Sequence, residues 1–207
     1  MVMAYLAGSI PTGYLVARAR GIDIRSVGSG NIGATNVFRI LGKGPGAFVL
    51  LADAWKGALA VLLLPRWLAG PADDERMHAA LIAGVCAVLG HNFTCWLRFK
   101  GGKGIATSAG VLAAWAPWPF LATLGVFGVV LAGTRYVSLA SILAAAALPF
   151  AQAFLPPRNR SLVVISTVLS VLAIARHHAN IRRLLAGKER RMGQGPAGAS
   201  AEGKGSP

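Results

Sequence analysis

Gly-His-Asn-Phe-Thr-Cys-Trp-Leu-Arg-Phe-Lys-Gly-Gly-Lys-Gly, residues 90–104, is the stretch around which the whole chain is organised. An apolar helix pattern over Met77–Leu97 leads into it, and a second apolar stretch begins at Ile105. Glycines there let backbone N–H groups approach a ligand closely, and cations with glycines at a helix boundary suit an anion such as phosphate. The alternative is a basic loop that only fixes membrane orientation. Orientation needs charge, however, and not a Gly-Gly-Lys-Gly backbone.

The composition indicates a membrane protein. Of the 207 residues, 55% are hydrophobic and only 14% are charged, with a mean hydropathy of +0.57, whereas soluble domains carry about 25% charged residues. The net charge of +14 would suit nucleic acid, but the cations fall in short loops between apolar stretches, which is the positive-inside pattern. We therefore expect a lipid bilayer and no nucleic acid as partner, and the oligomeric state is left open.

The apolar stretches predict about seven transmembrane helices. Residues 105–133 are too long for one straight span of about 20 residues and contain two prolines, so they form either one tilted helix or a hairpin of two. The hairpin leaves only four cations outside, whereas a single span divides the cations evenly. Charge bias therefore favours seven spans, an outside N-terminus and a cytoplasmic C-terminus. The predicted spans are Val2–Ala17, Pro45–Pro65, Met77–Leu97, two within Ile105–Gly133, Val137–Leu155 and Ser161–Ala175. The first contains Ser9, Pro11 and Thr12, which predict a kink.

The predicted domain organisation is simple. Residues 1–191 form one all-α, membrane-embedded domain, and no internal repeat is detected. Residues 192–207 are rich in Gly, Ala, Ser and Pro, a composition that predicts disorder.

A second polar stretch, Gly28–Arg39, lies on the same predicted side of the membrane. Its glycines match the G-x-G-x-x-G dinucleotide pattern, but no strand precedes it, so we reject a Rossmann site. A phosphate-cradling loop remains, in which Ser29, Asn31 and Asn36 are short donors and Arg39 clamps a phosphate. The alternative is a turn-rich connector.

A third polar stretch, Arg176–Glu189, follows the last span. His177 and Asn180 are three residues apart and share a helix face, although a basic cluster that only stops membrane transfer is an equal alternative. Within the second span, Asp53 and Lys56 are ionisable groups in an apolar environment, which usually face a functional site. They form either a structural ion pair or a site in which Lys56 reaches an anionic ligand. His91 suits helix packing as well as catalysis.

Several catalytic signatures are missing. The sequence has no His-x4-Asp pattern, no Gly-Lys-Ser/Thr and no His-Glu-x-x-His. Of its seven acidic residues, those at 73–75 lie outside by the predicted topology and Glu202 lies in the tail. Chemistry on the cytoplasmic face therefore depends on cations, hydroxyls, amides and histidine, and we expect no metal and no cofactor.

Five stretches in order make the chain resemble the PlsY family of bacterial acyl-phosphate:glycerol-3-phosphate acyltransferases. The resemblance extends from about Tyr5 to Glu189. It implies a seven-helix enzyme of the bacterial inner membrane, with its active face in the cytoplasm. Such an enzyme acylates position 1 of sn-glycerol 3-phosphate from acyl phosphate, releasing lysophosphatidic acid and orthophosphate. The matching stretches are Gly8–Tyr14, Gly28–Arg39, Asp53–Gly57, Gly90–Gly104 and Arg176–Glu189.

The resemblance and the residue patterns together give the candidate site. The candidate catalytic residues are Ser29, Arg39, Lys103, His177 and Asn180. The candidate phosphate-binding residues are Gly30, Asn31, Asn36, Lys56, His91, Lys100, Gly101, Gly102, Gly104 and Glu189. The chain differs from the family in two places: Thr94 stands where the family usually has Pro, and the first helix begins several residues later than usual.

Two functional alternatives follow. In an acyltransferase, the donor's own phosphate is the first candidate for the base that takes the hydroxyl proton, and His177 is the second. A membrane transporter or channel for a phosphorylated solute is the other class. Transporter sites lie near the membrane midplane between repeats, whereas the cationic stretches here lie at one membrane edge.

Overall fold

The computed structural model describes residues 1–68, 70 and 72–194, and within these ranges it contains helices and loops but no strand. The described residues form ten α-helices and one short 3₁₀ turn. They are α1 (Val2–Ser9), α2 (Thr12–Arg18), α3 (Ala34–Leu41), α4 (Lys43–Leu68), α5 (Asp73–Asn92), the 3₁₀ turn Cys95–Leu97, α6 (Ile105–Trp115), α7 (Pro117–Thr134), α8 (Val137–Phe154), α9 (Arg160–Arg176) and α10 (His178–Leu185).

The helices confirm an all-α, multi-pass membrane protein. Helices α4, α5, α7 and α8 are each long and apolar enough to cross a bilayer, and α9 with α10, bent by 57°, is a candidate fifth span. The first predicted span is divided into α1 and α2, and α6 has 11 residues. Length alone therefore accounts for four or five of the seven predicted spans.

Two prolines mark the breaks that the sequence predicts. Pro117 begins α7 directly after the break at Ala116, and Pro11 separates α1 from α2. At the second break, the Ile10 carbonyl accepts a hydrogen bond of 2.8 Å from Lys56 Nζ, and Thr12 Oγ1 donates to Asp53 Oδ1 at 3.1 Å. Lys56 thus binds a backbone carbonyl at the break in the first span, and Asp53 binds the side chain of the adjacent Thr12.

Three predicted boundaries are wrong. The helix expected to reach Leu97 ends at Asn92, because the backbone N–H groups of Gly101 and Gly102 fold back onto the last carbonyls of α5. The Gly28–Arg39 stretch, predicted as a loop, contains most of helix α3. The Arg176–Glu189 stretch, whose pattern predicts a helix to about Glu189, is helical only to Leu185, after which the chain turns back on Arg183.

The predicted disordered tail falls mostly on residues 195–207, which lie outside the described residues. Met192 is described, and it is held in place: its N–H donates to the Arg135 carbonyl at 2.7 Å. In return, Arg135 Nη2 donates to the Met192 carbonyl at 3.1 Å. The ordered chain therefore extends at least to the contact with the turn between α7 and α8.

Helices α4 and α6 pack through glycine. A Cβ atom on Gly57 would overlap the backbone oxygen of Thr107, and one on Gly110 would overlap that of Ala54. Small residues at helix contacts let the two backbones approach closely. In a bilayer, where the hydrophobic effect does not drive helices together, such close packing stabilises the helix pair. This contact also fixes where α6 begins, at the edge of the candidate site.

We predict that Gly110→Ala destabilises the protein by about 1–3 kcal/mol, because the added methyl group forces the α4 and α6 backbones apart. Gly125→Ala in α7 is the matched control, since nothing lies within 4 Å of a Cβ atom there. Thermal unfolding of the purified protein in detergent should show a lower Tm for Gly110→Ala only. Equal Tm values for the two variants would contradict the close packing.

Candidate active site

A cavity of about 250 Å³ brings together residues of all three polar stretches. The Gly28–Arg39 stretch forms one wall, and the end of the central loop and the segment around α10 form others. Leu50, Phe127 and Val137 give it an apolar side. One cavity thus offers both a polar end and an apolar surface.

Asn36 organises the first wall. Its side chain is buried, and its Oδ1 accepts from the backbone N–H of Ser29 at 2.9 Å. Its Nδ2 donates to three carbonyls, those of Ile24, Val27 and Asn31, at 3.0–3.2 Å. Both ends of the amide are therefore occupied, so Asn36 shapes the loop that carries Ser29 and Asn31 into the cavity.

Two helix N-termini meet at the cavity. Helix α3 begins at Ala34 and α6 begins at Ile105, and both residues line the cavity. The first N–H groups of a helix have no partner within it, and they carry the positive end of the helix dipole. Gly104, the N-cap of α6, has φ +80 and lies against the Asn92 side chain. The backbone itself therefore favours an anion here.

The glycines of the central loop have a different role from the one that the sequence suggests. Gly101 N–H donates to the Asn92 carbonyl at 3.1 Å and Gly102 N–H to the His91 carbonyl at 3.0 Å. The carbonyls of both glycines accept hydrogen bonds from the Arg176 guanidinium at 3.0–3.2 Å. The same guanidinium lies 5.4 Å from the Phe93 ring centroid. These N–H groups cap α5 and are not available to a phosphate.

Lys103 is linked to the third stretch through Asn180. Lys103 Nζ donates to Asn180 Oδ1 at 2.6 Å, and Asn180 Nδ2 donates to Glu189 Oε1 at 2.6 Å. Glu189 also accepts from Ser138 Oγ at 2.8 Å and from Arg183 Nε at 2.6 Å. A single carboxylate in the loop after α10 thus fixes side chains of α8 and α10 and, through Asn180, the end of Lys103.

The charges of this network shift two pKa values. Burial lowers the pKa of Lys103 to about 8; Glu189 opposes the shift, and Arg183, Arg39 and Arg176 add to it. Burial alone would raise the pKa of Glu189, but hydrogen bonds from Arg183, Asn180 and Ser138 hold it below its ordinary value. Glu189 is therefore an acceptor at neutral pH and not a proton donor.

His177 lies buried at the junction of α9 and α10. Its Nδ1 is 2.8 Å from the Ala173 carbonyl, and a carbonyl only accepts, so Nδ1 carries the proton. In the neutral ring, Nε2 then holds a lone pair. Because His177 lines the cavity, this tautomer suits a base.

The ion pair of α4 lies at the edge of the cavity, which Asp53 lines and Lys56 does not. Lys56 Nζ is 2.8 Å from Asp53 Oδ1 and donates to the Ile10 carbonyl, which supports the structural ion pair over direct contact of Lys56 with a ligand. His91 Nδ1 lies 3.7 Å from the same carboxylate oxygen and has no hydrogen-bond partner among the described residues. The opposite edge of the His91 ring packs against Gly102.

The cavity separates the predicted site residues into two groups. Those that line it are Ser29, Asn31, Asn36, Arg39, His91, Lys103, Gly104, His177, Asn180 and Glu189. The predicted site residues that do not line the cavity are Gly30, Lys56, Lys100, Gly101 and Gly102. Lys100 is exposed.

Sequence reasoning missed Ser138, Lys188 and Arg190, which also line the cavity. Ser138 lies in an apolar helix and no motif marks it. Arg190 follows Glu189 directly, so its position next to a motif was the available signal. Within the described ranges, no three His, Cys, Asp or Glu side chains come together as a metal site would require.

The fold and the site define a class: a helical, multi-pass membrane protein with a cationic cavity suited to a phosphorylated ligand. The particular family follows from comparison with known proteins. The chain belongs to the glycerol-3-phosphate acyltransferase family, whose sequence model matches residues 1–187.

Curated relatives share most of their length with the chain. The glycerol-3-phosphate acyltransferase of Geotalea daltonii is 49% identical over 189 residues, covering 91% of this chain and 94% of the relative. That of Geobacter sulfurreducens is 48% identical, covering 92% and 94%. The chain is also similar to a crystal structure of PlsY, an integral membrane glycerol 3-phosphate acyltransferase, in its glycerol 3-phosphate form. The TM-score is 0.83 and the identity 38%, with 93% of each chain covered.

The backbone at Thr94 suits the proline that the family resemblance leads us to expect there. Thr94 has φ −63 and ψ 125, a conformation that proline also adopts. Its Oγ1 donates to the Ser9 carbonyl at 2.6 Å, which ties the end of α5 to the end of α1. Threonine therefore keeps a proline-like backbone here and adds a buried hydrogen bond.

We predict that binding of inorganic phosphate weakens as pH rises through about 8, because Lys103 loses its charge there. Isothermal titration calorimetry between pH 6.5 and 9.5 measures this. Lys103→Arg, whose guanidinium stays charged over that range, should move the loss of affinity to higher pH. If the phosphate affinity of both proteins falls over the same pH range, a group other than Lys103 controls binding.

Proposed function

We propose that the chain transfers a fatty acyl group from acyl phosphate to position 1 of sn-glycerol 3-phosphate, giving lysophosphatidic acid and orthophosphate. One observation carries this proposal: Lys103, Arg39 and two helix N-termini converge on a single cavity that also has an apolar wall. Phosphates fit the cationic end, and an acyl chain fits the apolar side.

The comparisons support an acyltransferase and not the transporter that the sequence left open. The chain belongs to an acyltransferase family, and PlsY structures similar to it are described in glycerol 3-phosphate and lysophosphatidic acid forms. A substrate and a product of the proposed reaction are thus ligands of a protein with the same fold.

The chemistry requires no covalent intermediate with the protein, because an acyl phosphate is an activated mixed anhydride. The glycerol hydroxyl oxygen attacks the acyl carbonyl carbon, a tetrahedral oxyanion forms, and the bond from that carbon to the phosphate oxygen then breaks. The hydroxyl proton passes to the donor's phosphate, with His177 Nε2 as the alternative base. Lys103 and Arg39 stabilise the charge that develops on the oxyanion and on the leaving phosphate.

We assign the remaining cavity residues to binding. Ser29 and Asn31 donate to phosphate oxygens from the wall that Asn36 shapes, and the N–H groups at the start of α6 add to them. Asn180 acts by holding Lys103. Gly101 and Gly102 act on the site indirectly, because they fix the path of the loop that ends in Lys103 and Gly104.

For the topology, we propose seven spans formed by α1 with α2, α4, α5, α6, α7, α8 and α9, within one domain over residues 1–191. The distribution of lysine and arginine supports an outside N-terminus and a cytoplasmic C-terminus. It also supports a cytoplasmic active face in the bacterial inner membrane.

Product analysis with the purified protein tests the proposed activity. Labelled glycerol 3-phosphate is supplied with palmitoyl phosphate, and with palmitoyl-CoA as the comparison donor. We expect labelled lysophosphatidic acid and an equal amount of orthophosphate from palmitoyl phosphate only. Product from palmitoyl-CoA alone would contradict the proposed donor, and the absence of product from either would contradict the activity.

We predict that Arg39→Ala and Lys103→Ala each lower kcat/KM by roughly 10- to 150-fold. Each change removes a charge-assisted hydrogen bond to phosphate, worth about 1.5–3 kcal/mol. Arg66→Ala and Arg158→Ala, two exposed arginines outside the cavity, are the controls and should retain nearly full activity. Equal losses in all four variants would indicate a general folding defect.

Cysteine labelling tests the proposed topology. In a background without Cys86 and Cys95, an impermeant maleimide applied to intact cells should label Ala72→Cys and leave Ser26→Cys unmodified. Both positions are exposed, so access depends on the side of the membrane. Labelling of both, or of Ser26→Cys alone, would overturn the seven-span arrangement.

We predict that the reaction proceeds in excess EDTA. A divalent metal at a phosphate site needs carboxylate ligands, and Glu189 is already engaged by three donors while Asp53 is paired with Lys56. The product assay with and without EDTA measures this. Loss of activity in EDTA that Mg²⁺ restores would contradict a mechanism based on protein cations.

A further inference from the structure

The segment after α10, residues 186–194, folds back over the cavity, and we name it the strap. Its turn is closed on Arg183, whose carbonyl accepts from the N–H groups of Lys188 and Glu189 at 2.7 and 3.1 Å. Lys188, Glu189 and Arg190 all line the cavity. Part of the cavity surface therefore depends on how the strap is held.

The strap is anchored on both sides of Arg190. On one side, Glu189 is held by the hydrogen bonds described above. On the other, the Arg191 guanidinium lies 5.3 Å from the Tyr136 ring centroid, and Met192 exchanges two hydrogen bonds with Arg135. Arg135 and Tyr136 form the turn between α7 and α8, outside every motif that the sequence suggested.

Arg190 itself has no partner in the part of the chain that the structure describes. Its side chain is partly buried and lines the cavity, and within the described residues it makes no hydrogen bond or ion pair. The same holds for Arg39. Burial lowers the pKa of Arg39, and Arg190 is the charge that lowers it most. Two cations without acceptors therefore lie close enough in one cavity to repel each other.

Such an arrangement is unfavourable in the empty cavity and favourable around an anion. Guanidinium groups bind phosphate through paired N–H donors, and a phosphate between two of them replaces their repulsion with attraction. Lys103, in contrast, already donates to Asn180, so it has an acceptor in the absence of a ligand. The reaction proposed above brings two phosphates together and needs more than one such place.

We propose that Arg190 and Arg39 form a phosphate subsite, and that the α7–α8 turn positions Arg190 by binding the strap through Arg135 and Tyr136. The assignment of the bound phosphate to acyl phosphate or glycerol 3-phosphate rests on the proposed function. Binding of a phosphate between the two guanidinium groups does not.

The test uses the full chain with Arg190→Gln, which removes the charge, and Arg190→Lys, which keeps it. Arg20→Ala, an exposed arginine outside the cavity, is the control. Binding of inorganic phosphate is measured by calorimetry, and KM is measured with each substrate varied in turn. We expect Arg190→Gln to weaken phosphate binding by about tenfold or more, and Arg190→Lys and Arg20→Ala to have smaller effects.

The KM measurements with each substrate distinguish the two possible sources of the phosphate. A rise in KM for acyl phosphate alone assigns the subsite to the donor, and a rise for glycerol 3-phosphate alone assigns it to the acceptor. Unchanged phosphate binding in Arg190→Gln overturns the subsite, as does failure of that variant to fold, because Arg190 would then be structural. If the unaltered protein transfers no acyl group, the calorimetry still decides the subsite.

Tyr136 provides an independent test of positioning. Tyr136→Phe keeps the aromatic face under Arg191 and Tyr136→Ala removes it, and such a contact is worth about 0.5–1 kcal/mol at an exposed site. We expect Tyr136→Ala to raise KM for the same substrate as Arg190→Gln, by about two- to fivefold, with kcat little changed and full recovery in Tyr136→Phe. Equal behaviour of the two Tyr136 variants would show that the ring does not position the strap.

Discussion

The site depends on the side-chain amide of Asn180, which connects a cation to an anion. Its oxygen accepts a hydrogen bond from Lys103 and its nitrogen donates one to Glu189, and both bonds are 2.6 Å long. An amide offers a hydrogen-bond acceptor and a hydrogen-bond donor held in one rigid plane. Through it, the flexible end of Lys103 is fixed relative to α8, α10 and the strap.

The balance of charge around this amide explains why the cavity suits phosphate. Burying a cation is costly unless it is paired, and within the described residues Glu189 is the sole carboxylate that touches this network. It forms an ion pair with Arg183, which leaves Arg39 and Arg190 without a counter-charge. Substrate phosphates would complete the pairing. Burial is the main cause of the low pKa of Lys103, and the neighbouring arginines lower it further; an anionic ligand would raise that pKa again.

Much of the fold could be predicted from the sequence, because hydrophobic length and proline act locally. Pro11 and Pro117 break the helices where expected, and the three polar stretches do converge. The hydrogen-bond partners of individual residues could not be predicted. Asn36 was expected to bind phosphate but holds its own loop, and the Gly101 and Gly102 N–H groups cap α5. Residue type gives the hydrogen-bonding capacity of a group, whereas tertiary packing decides which partner uses it. Ser138 and the strap were missed for the same reason.

A double-mutant cycle between Lys103 and Asn180 tests the central claim most directly. The kcat/KM for glycerol 3-phosphate is measured for Lys103→Ala, Asn180→Ala and the double variant, with expression and Tm matched. If Asn180 acts mainly by holding Lys103, the double variant should lose little more activity than Lys103→Ala alone, since contacting residues are not additive. Losses that multiply in the double variant would show that the two side chains act independently, and would contradict the proposed role of the amide.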